Sequence, residues 1–276
     1  MRVAAQVNHR VKCAPSQKRP IVNRPDPTPY GLLARFYDAL ADYAPAMNRH
    51  AREQILGETL QQIHSACDLA CGSGETALDL ARRGLRVYAV DLSPTFCRIT
   101  RRKARRARLP VRVLCADMRR FRLPRRVDLI ACEFAAPNNL PRQADLLPAF
   151  RAVARALRPG GWFLFDLNTP RSLREQSNMS EWMEKPEFKL LLRGRYDRKR
   201  RAGILTFDWF TPAGKLWRHQ RESVDHIAWS DAEIRRSLRR AGFGRIRFFD
   251  GLDVRPRLPG ARRGYDSYYL AQKVRA

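Results

Sequence analysis

Three acidic residues and two glycines lie where short apolar runs of the chain end. In the segment DLACGSGET, Asp68 precedes Gly72 and Gly74, and a helical pattern begins directly afterwards. Glycine weakens the interior of a strand or helix, so this pair predicts a tight turn that a ligand approaches closely. A strand, a glycine turn and a helix in this order bring free backbone amides to a helix N-terminus, where ligands bind.

The other two acidic residues extend the predicted site to neighbouring strands. Asp91 ends the next apolar run, about 20 residues after Gly72, where an acid accepts hydrogen bonds from ribose hydroxyls. Asp117 ends the following run, in the segment CADMRRF. Taken alone, Asp68 is explained as a helix cap and Asp117 as the start of a turn. Because carboxyl ends of parallel strands meet at one edge of a sheet, the three acids in this order predict one crevice.

The type of ligand follows from the charge of this turn. The turn lacks a complete GxGxxG fingerprint, since Ala77 takes the last position. Some dinucleotide sites tolerate that alanine, so the missing third glycine does not exclude a nicotinamide or flavin cofactor. Asp68, Glu75 and Asp117 would however repel a pyrophosphate, and they favour a ligand that carries positive charge.

Near-continuous apolar strands separated by helical patterns position these residues. Such strands are typical of a parallel sheet covered by helices on both faces. The fold class is therefore α/β, a three-layer doubly wound sheet. The predicted parallel strands are 66–71, 85–92, 111–117, 127–134 and 162–168. After Pro170 the pattern changes to an antiparallel β insertion with strands 188–197, 202–210 and 215–229, a return helix 231–242 and two closing strands.

The ordered motifs resemble those of the class I S-adenosylmethionine-dependent methyltransferases, over roughly residues 60–170. DLACGSGET, VYAVDLSP, CADMRRF, VDLIACEFAAPNNL and LRPGGWFLFDLN carry the resemblance. It implies a seven-stranded, Rossmann-like sheet with an antiparallel last strand, and S-adenosyl-L-methionine as the cofactor. It also implies cofactor contacts from Asp68, Ala70, Gly72, Gly74, Asp91, Leu92, Asp117, Met118 and Glu133.

The acceptor side of the site is predicted from less specific features. The loop from Glu133 to Asn139 lacks the Asn/Asp-Pro-Pro-aromatic signature of base and glutamine amino-methyltransferases, and the Pro-Cys pair of cytosine-C5 enzymes. The N-terminal helix and the insertion are similar to those of small-molecule members that methylate nucleotide-linked aminosugars. Candidate catalytic residues are Tyr37, Asn139, His219 and His226, and candidate substrate-binding residues are Tyr30, Tyr43, Asn138 and Arg218; no metal site is expected.

The composition leaves a second class of acceptor open. The 54 Lys and Arg residues outnumber 27 Asp and Glu residues, which gives a net charge of +27. Such a charge attracts nucleic acid, but the basic residues form no stripe interleaved with aromatics, so an arginine-rich composition is the favoured explanation. The acceptor is thus predicted to be a small molecule, methylated on N or O. RNA or protein is the alternative acceptor, and a non-catalytic cofactor-binding protein associated with RNA is a third interpretation.

The predicted organisation has four parts. Residues 1–29 form a flexible, basic, Pro-rich tail, and 30–170 the N-terminal lid helix with the cofactor-binding core. Residues 171–229 are the antiparallel insertion that caps the substrate, and 230–276 the return helix and closing strands. No apolar run is long enough to span a membrane, and cysteine spacing predicts free thiols, which favours a cytoplasmic protein.

Overall fold

The structure, a computed structural model, describes residues 30–254 and 266–274. The predicted tail, residues 1–29, lies outside the described residues. The helices are α1 (Gly31–Leu40), α2 (Ala44–Leu56), α3 (Glu75–Arg82), α4 (Pro94–Arg106), α5 (Leu146–Ala156), α6 (Pro170–Glu175), α7 (Asp231–Arg240) and α8 (Gly251–Val254). The strands are β1 (Ser65–Leu69), β2 (Arg86–Asp91), β3 (Val111–Cys115), β4 (Val127–Cys132), β5 (Leu157–Asn168), β6 (Ser180–Lys185), β7 (Phe188–Asp197), β8 (Ala202–Ala213), β9 (Leu216–Ile227), β10 (Phe243–Asp250) and β11 (Asp266–Lys273).

The main sheet has seven strands in the order β10-β11-β5-β4-β1-β2-β3. β1 to β5 pair in parallel, whereas β11 runs antiparallel to both β5 and β10. All five residues of β1 are buried, as expected for a central strand covered on both faces. One apolar cluster packs α5 and α7 on one face, and a second packs α2, α3 and α4 on the other. The predicted doubly wound fold with an antiparallel last strand is confirmed.

A second sheet, β6-β7-β8-β9, is wholly antiparallel. Its apolar side forms a third cluster with α1, in which Phe36 packs against Phe188 and Trp209. The side chains that pack this sheet on α1 therefore form a cluster of their own, separate from the two clusters of the main sheet. α7 returns the chain to the main sheet and begins at the predicted capping box of Ser230 and Glu233.

Several elements differ from the sequence prediction, among them the unpredicted short helices α6 and α8. α2 was not predicted, because buried Asn48 and Arg52 interrupt its apolar pattern. β6 was not predicted either, since it is an edge strand with no fully buried residue. β5 begins at Leu157 rather than at Trp162, because Leu157 already pairs with Val127 of β4. The register then shifts before Trp162 pairs with Leu129, and Gly160 in this stretch has a left-handed φ of 76°.

Candidate functional site

The turn after β1 is built from backbone that glycine favours. Ala70, Gly72 and Gly74 all have positive φ, of 58°, 52° and 86°. A Cβ on Gly74 would lie 2.5 Å from Cγ2 of Thr100 on α4, so packing alone requires glycine there. A Cβ on Gly72 would meet only the ring of Tyr37, at 3.7 Å. Gly72 therefore opens onto a crevice, and left-handed Ala70 carries strain of the kind found at functional sites.

Asp91 ties the end of β2 to this turn. Its Oδ2 accepts a hydrogen bond from the Gly72 amide at 2.9 Å, and Oδ1 accepts one from the Ser93 amide at 2.8 Å. Burial raises the pKa of Asp91. Each carboxylate oxygen accepts more than one hydrogen bond, so Asp91 can still receive hydroxyl donors. Leu92 beside it is 52% exposed, at the rim of the crevice.

Asp68 has the capping role that its position suggested, and its contact with the cofactor stays a prediction. Its Oδ2 accepts a hydrogen bond from the Ala77 amide at 2.9 Å, which caps the first turn of α3. Burial and the nearby Glu133 carboxylate raise the pKa of Asp68 to about 8. The Asp68 carboxyl group is thus shielded from water and close to another carboxylate, so a bound cation would stabilise its ionised form.

Arg52 is a site residue that sequence reasoning missed. Its Nη1 donates to both oxygens of Glu133, at 2.7 and 2.8 Å, and its Nη2 donates to Asp79 at 2.6 Å. Thr76 Oγ1 also donates to Glu133, at 2.7 Å. The Arg52 side chain is buried, and its Nε has no hydrogen-bond partner. No local pattern distinguishes Arg52 from the other arginines of this chain, because its partners come from α3 and from the end of β4.

Asp117 lies buried at the end of β3 and binds an arginine. Arg119 donates to both of its oxygens, at 3.0 and 2.5 Å, and this pairing lowers the pKa of Asp117. Arg119 also lies 3.2 Å from Asp145, before α5. Met118, which lies between Asp117 and Arg119 in the sequence, is half-buried and packs against the core of the main sheet. The carboxylate thus stays ionised and able to accept further donors.

Three tyrosines of the N-terminal segment lie near the turn after β1. Tyr37 on α1 makes an edge contact with Phe96, with ring centroids 5.2 Å apart, and Tyr30 lies 6.3 Å from the same ring. Tyr43 lies 6.2 Å from Phe134. Burial, together with the charges of neighbouring carboxylates, raises the pKa of Tyr37, and it raises that of Tyr30 to about 12. Both phenols therefore remain protonated donors at neutral pH.

The loop after β4 joins the main sheet to the second sheet. Phe134 and Ala135 both have positive φ, so the chain leaves β4 by a strained turn. Asn138 is fully buried; its Nδ2 donates to the Ile227 carbonyl at 2.7 Å, and its Oδ1 accepts from the Asn168 amide at 2.9 Å. Asn139 donates from Nδ2 to Ala136 O at 3.2 Å. The predicted substrate contact of Asn138 stays a prediction, and its observed contacts are with the backbone.

The remaining candidate residues, His226, His219 and Arg218, lie in separate parts of the structure. His226 Nδ1 lies 3.5 Å from Asn168 Nδ2 at the end of β5, and burial lowers the pKa of His226 to about 4. His219 lies 2.8 Å from Asp208, on the face of the second sheet that points away from α1. Arg218 is exposed near the β8–β9 turn. The structure therefore does not bring His219 or Arg218 together with the crevice.

Within residues 30–254 and 266–274, no group of three His, Cys, Asp or Glu side chains is arranged to hold a metal ion. In the same ranges no helix has both the length and the apolar character needed to cross a membrane.

Part of this chain is similar in sequence to known methyltransferases. Residues 66–161 match a family model described as a methyltransferase domain. The putative methyltransferase YqeM of Bacillus subtilis (strain 168) is 29% identical over 147 residues, which is 53% of this chain and 58% of that protein. This chain thus matches only a little over half the length of that curated relative.

Two solved structures extend the similarity to nearly the whole chain. An S-adenosylmethionine-dependent methyltransferase from Clostridium acetobutylicum ATCC 824 aligns with a TM-score of 0.74 at 22% identity, over 89% of this chain and 99% of that one. The sugar N-methyltransferase KedS8 from Streptoalloteichus sp ATCC 53650 gives 0.67 at 22% identity, over 97% and 100%. The resemblance predicted from the motifs is confirmed: residues 66–161 match the methyltransferase domain family, and the chain has the fold of the S-adenosylmethionine-dependent methyltransferases.

Proposed function

We propose that this protein uses S-adenosylmethionine to methylate an N or O atom of a small molecule, of the aminosugar class. One observation carries the proposal. Gly72, Asp91 and Asp68 converge at the carboxyl ends of β1 and β2, and the ring of Tyr37 lies over Gly72. This is the place where open α/β sheets bind nucleoside ligands.

The residues present fit this cofactor by shape and by charge. The absent Cβ of Gly72 leaves a cradle beside Tyr37 that a larger residue would fill. Burial and then the charges of nearby groups, Asp91, Asp68 and Asp166 among them, raise the pKa of Tyr37, so several carboxylates lie near this phenol. A cationic ligand relieves their mutual repulsion, whereas a pyrophosphate would add to it.

The chain's residues bind and orient, while the cofactor supplies the reactive group. When bound, S-adenosylmethionine provides a methyl group activated by a sulfonium centre. Asp91 would hold the ribose hydroxyls, and Asp117 with Met118 the adenine. Tyr37 and Tyr30 exclude water from above. Since methyl transfer needs the acceptor atom in line with the methyl–sulfur bond, accurate positioning is the main catalytic contribution.

The candidate bases differ in whether they carry a proton at neutral pH. Tyr37 keeps its proton because its pKa is raised, so it can donate a hydrogen bond but does not act as a base. His226 is neutral at physiological pH because burial lowers its pKa to about 4. It can accept a hydrogen bond from an acceptor hydroxyl or ammonium group, although so low a pKa makes it a weak base. An amine that binds unprotonated needs no base at all.

Calorimetry with S-adenosylhomocysteine tests the cofactor part of the proposal. Asp91→Ala should abolish binding, because it removes the acceptor for the ribose hydroxyls. Circular dichroism should show that the variant stays folded. Asp42→Ala, at an exposed site after α1, is the control and should bind normally. Unchanged affinity in Asp91→Ala would refute the assignment.

Methyl-labelled cofactor tests the acceptor part. The protein is incubated with the labelled cofactor and with separate pools of nucleotide-linked aminosugars, RNA and protein. Label in the sugar pool supports the proposal, as does the similarity to a sugar N-methyltransferase over the whole chain. Label in RNA or protein would contradict the small-molecule acceptor and leave the cofactor assignment intact.

A further inference from the structure

The N-terminus of α1 is capped by a residue from a distant strand. Tyr30, which precedes the helix, is left-handed with φ 64°, and its side chain makes no capping hydrogen bond. Instead, the Leu32 amide donates to Oε1 of Glu222 at 2.8 Å, and the Leu33 amide donates to Oε2 at 2.9 Å. Glu222 lies on β9, in the second sheet. A carboxylate at this place satisfies two free amides and complements the positive end of the helix dipole.

Glu222 is itself held by the second sheet. Trp209 Nε1 donates to its Oε2 at 3.2 Å, and the Trp209 ring packs 5.4 Å from that of Phe36 on α1. The polar contact thus lies beside the apolar cluster that joins α1 to β7 and β8. Shielding by this cluster strengthens hydrogen bonds to a charged group.

The same helix carries the residue that covers the crevice. Tyr37 lies on α1, four residues after Leu33, and its ring faces Gly72. On the side of the main sheet, α1 is held by ring contacts with Phe96 and by an ion pair of Asp38 with Lys103 at 2.7 Å, in which Asp38 is half exposed. Tyr37 itself contacts Phe96 and Phe134 on the main-sheet side, so α1 connects the crevice to the second sheet.

We propose that Glu222 is a positioning residue that locks α1 to the second sheet and thereby holds Tyr37 over the bound cofactor. This role rests on the proposed function. The second sheet and α1 move as one body, and the cofactor leaves only when that body lifts from Gly72 or when the bond to Glu222 breaks. Glu222 thus controls the rate at which the nucleoside leaves.

Glu222→Gln is the informative variant, because it keeps the size of the side chain. An amide has one acceptor oxygen and no charge, so either the Leu32 or the Leu33 amide loses its partner. Glu184→Gln is the matched control. It removes a carboxylate from β6 of the same sheet, where its partners are Trp182 and Lys189. Glu222→Asp, which keeps the charge but shortens the side chain, is a second variant for use if Glu222→Gln does not fold.

Two measurements are made on the full chain. Hydrogen exchange reports on the amides of residues 31–36, and stopped-flow displacement gives the dissociation rate of S-adenosylhomocysteine. In Glu222→Gln we expect exchange in this segment to rise at least tenfold while β1 and β4 stay protected. We expect the dissociation rate to rise at least fivefold, with a smaller change in the association rate. Glu184→Gln should match the wild type in both.

The outcomes distinguish the two proposals. Unchanged exchange in residues 31–36 would overturn the lock itself. Faster exchange with an unchanged dissociation rate would overturn the positioning role, because α1 would loosen without affecting the ligand. If the wild type does not bind S-adenosylhomocysteine at all, the proposed function fails and the role in ligand release fails with it. The exchange data would then still decide whether Glu222 locks α1.

Discussion

Alanine substitutions at three glycines can separate backbone strain, packing and ligand volume. Gly72, Gly74 and Gly84 all have positive φ. A Cβ on Gly84 meets nothing within 4 Å, one on Gly74 meets Thr100 at 2.5 Å, and one on Gly72 meets only the Tyr37 ring at 3.7 Å. Gly84→Ala, at the end of α3, therefore measures the cost of the left-handed backbone alone.

The structure gives an expected magnitude for each variant. Forcing alanine into the left-handed region costs about 1–2 kcal/mol at each position. The alanine also restricts the unfolded chain, but this effect is common to the three variants and cancels in their differences. Gly74→Ala adds the cost of overpacking against buried Thr100, about 1–3 kcal/mol. Gly72→Ala adds no clash, so its stability should lie close to that of Gly84→Ala.

Affinity should distinguish Gly72→Ala from Gly84→Ala, although their stabilities are expected to be close. Gly72→Ala places a methyl group in the cradle beside Tyr37, so we expect its affinity for S-adenosylhomocysteine to fall at least tenfold. Gly84→Ala should bind like the wild type. Urea denaturation and calorimetry on the three variants give both quantities. Adding Thr100→Ser to Gly74→Ala removes the Cγ2 atom and should recover part of the lost stability.

Two results would refute this reasoning. If Gly74→Ala were no less stable than Gly84→Ala, the close packing of the turn on α4 would be wrong. If Gly72→Ala bound S-adenosylhomocysteine normally, the crevice beside Tyr37 would not be the nucleoside site.

Two further predictions concern buried charge. Arg52→Met should destabilise the fold by about 3–5 kcal/mol, because it leaves the buried carboxylate of Glu133 without its cationic partner, whereas Asp79 keeps Arg49 at 2.8 Å. Adding Glu133→Gln should recover part of the loss in urea denaturation, and no recovery would contradict the pairing. The pKa of His226 is about 4 in the fold and 6.5 ordinarily, so the unfolded chain binds more protons between these values. Stability should therefore fall as the pH drops from about 6.5 to about 4, and a His226→Gln variant that showed the same pH dependence would argue against burial of this imidazole.

The sequence alone predicted the fold class, which the structure confirms, and the residues that we propose hold the cofactor. Apolar runs buried on both faces predict parallel strands, and Gly72, Asp91 and Asp117 each follow such a run directly. Because each of these residues directly follows a strand in the sequence, its place at the carboxyl end of that strand was predictable. The capping box of Ser230 and Glu233 was predictable for the same reason, since its partners are three residues apart.

Only the tertiary structure decided which distant side chains meet. Arg52 reaches Glu133 across 81 residues, and Glu222 reaches the Leu32 amide across 190. The side chain of Asn138 binds the backbone of β5 and β9, contacts that no sequence pattern indicated. A sequence pattern records which residues share a strand or helix face, but contacts between elements depend on how those faces pack. The charged side chains of this site are paired through such contacts, because a buried ion is tolerated only where an oppositely charged group lies beside it.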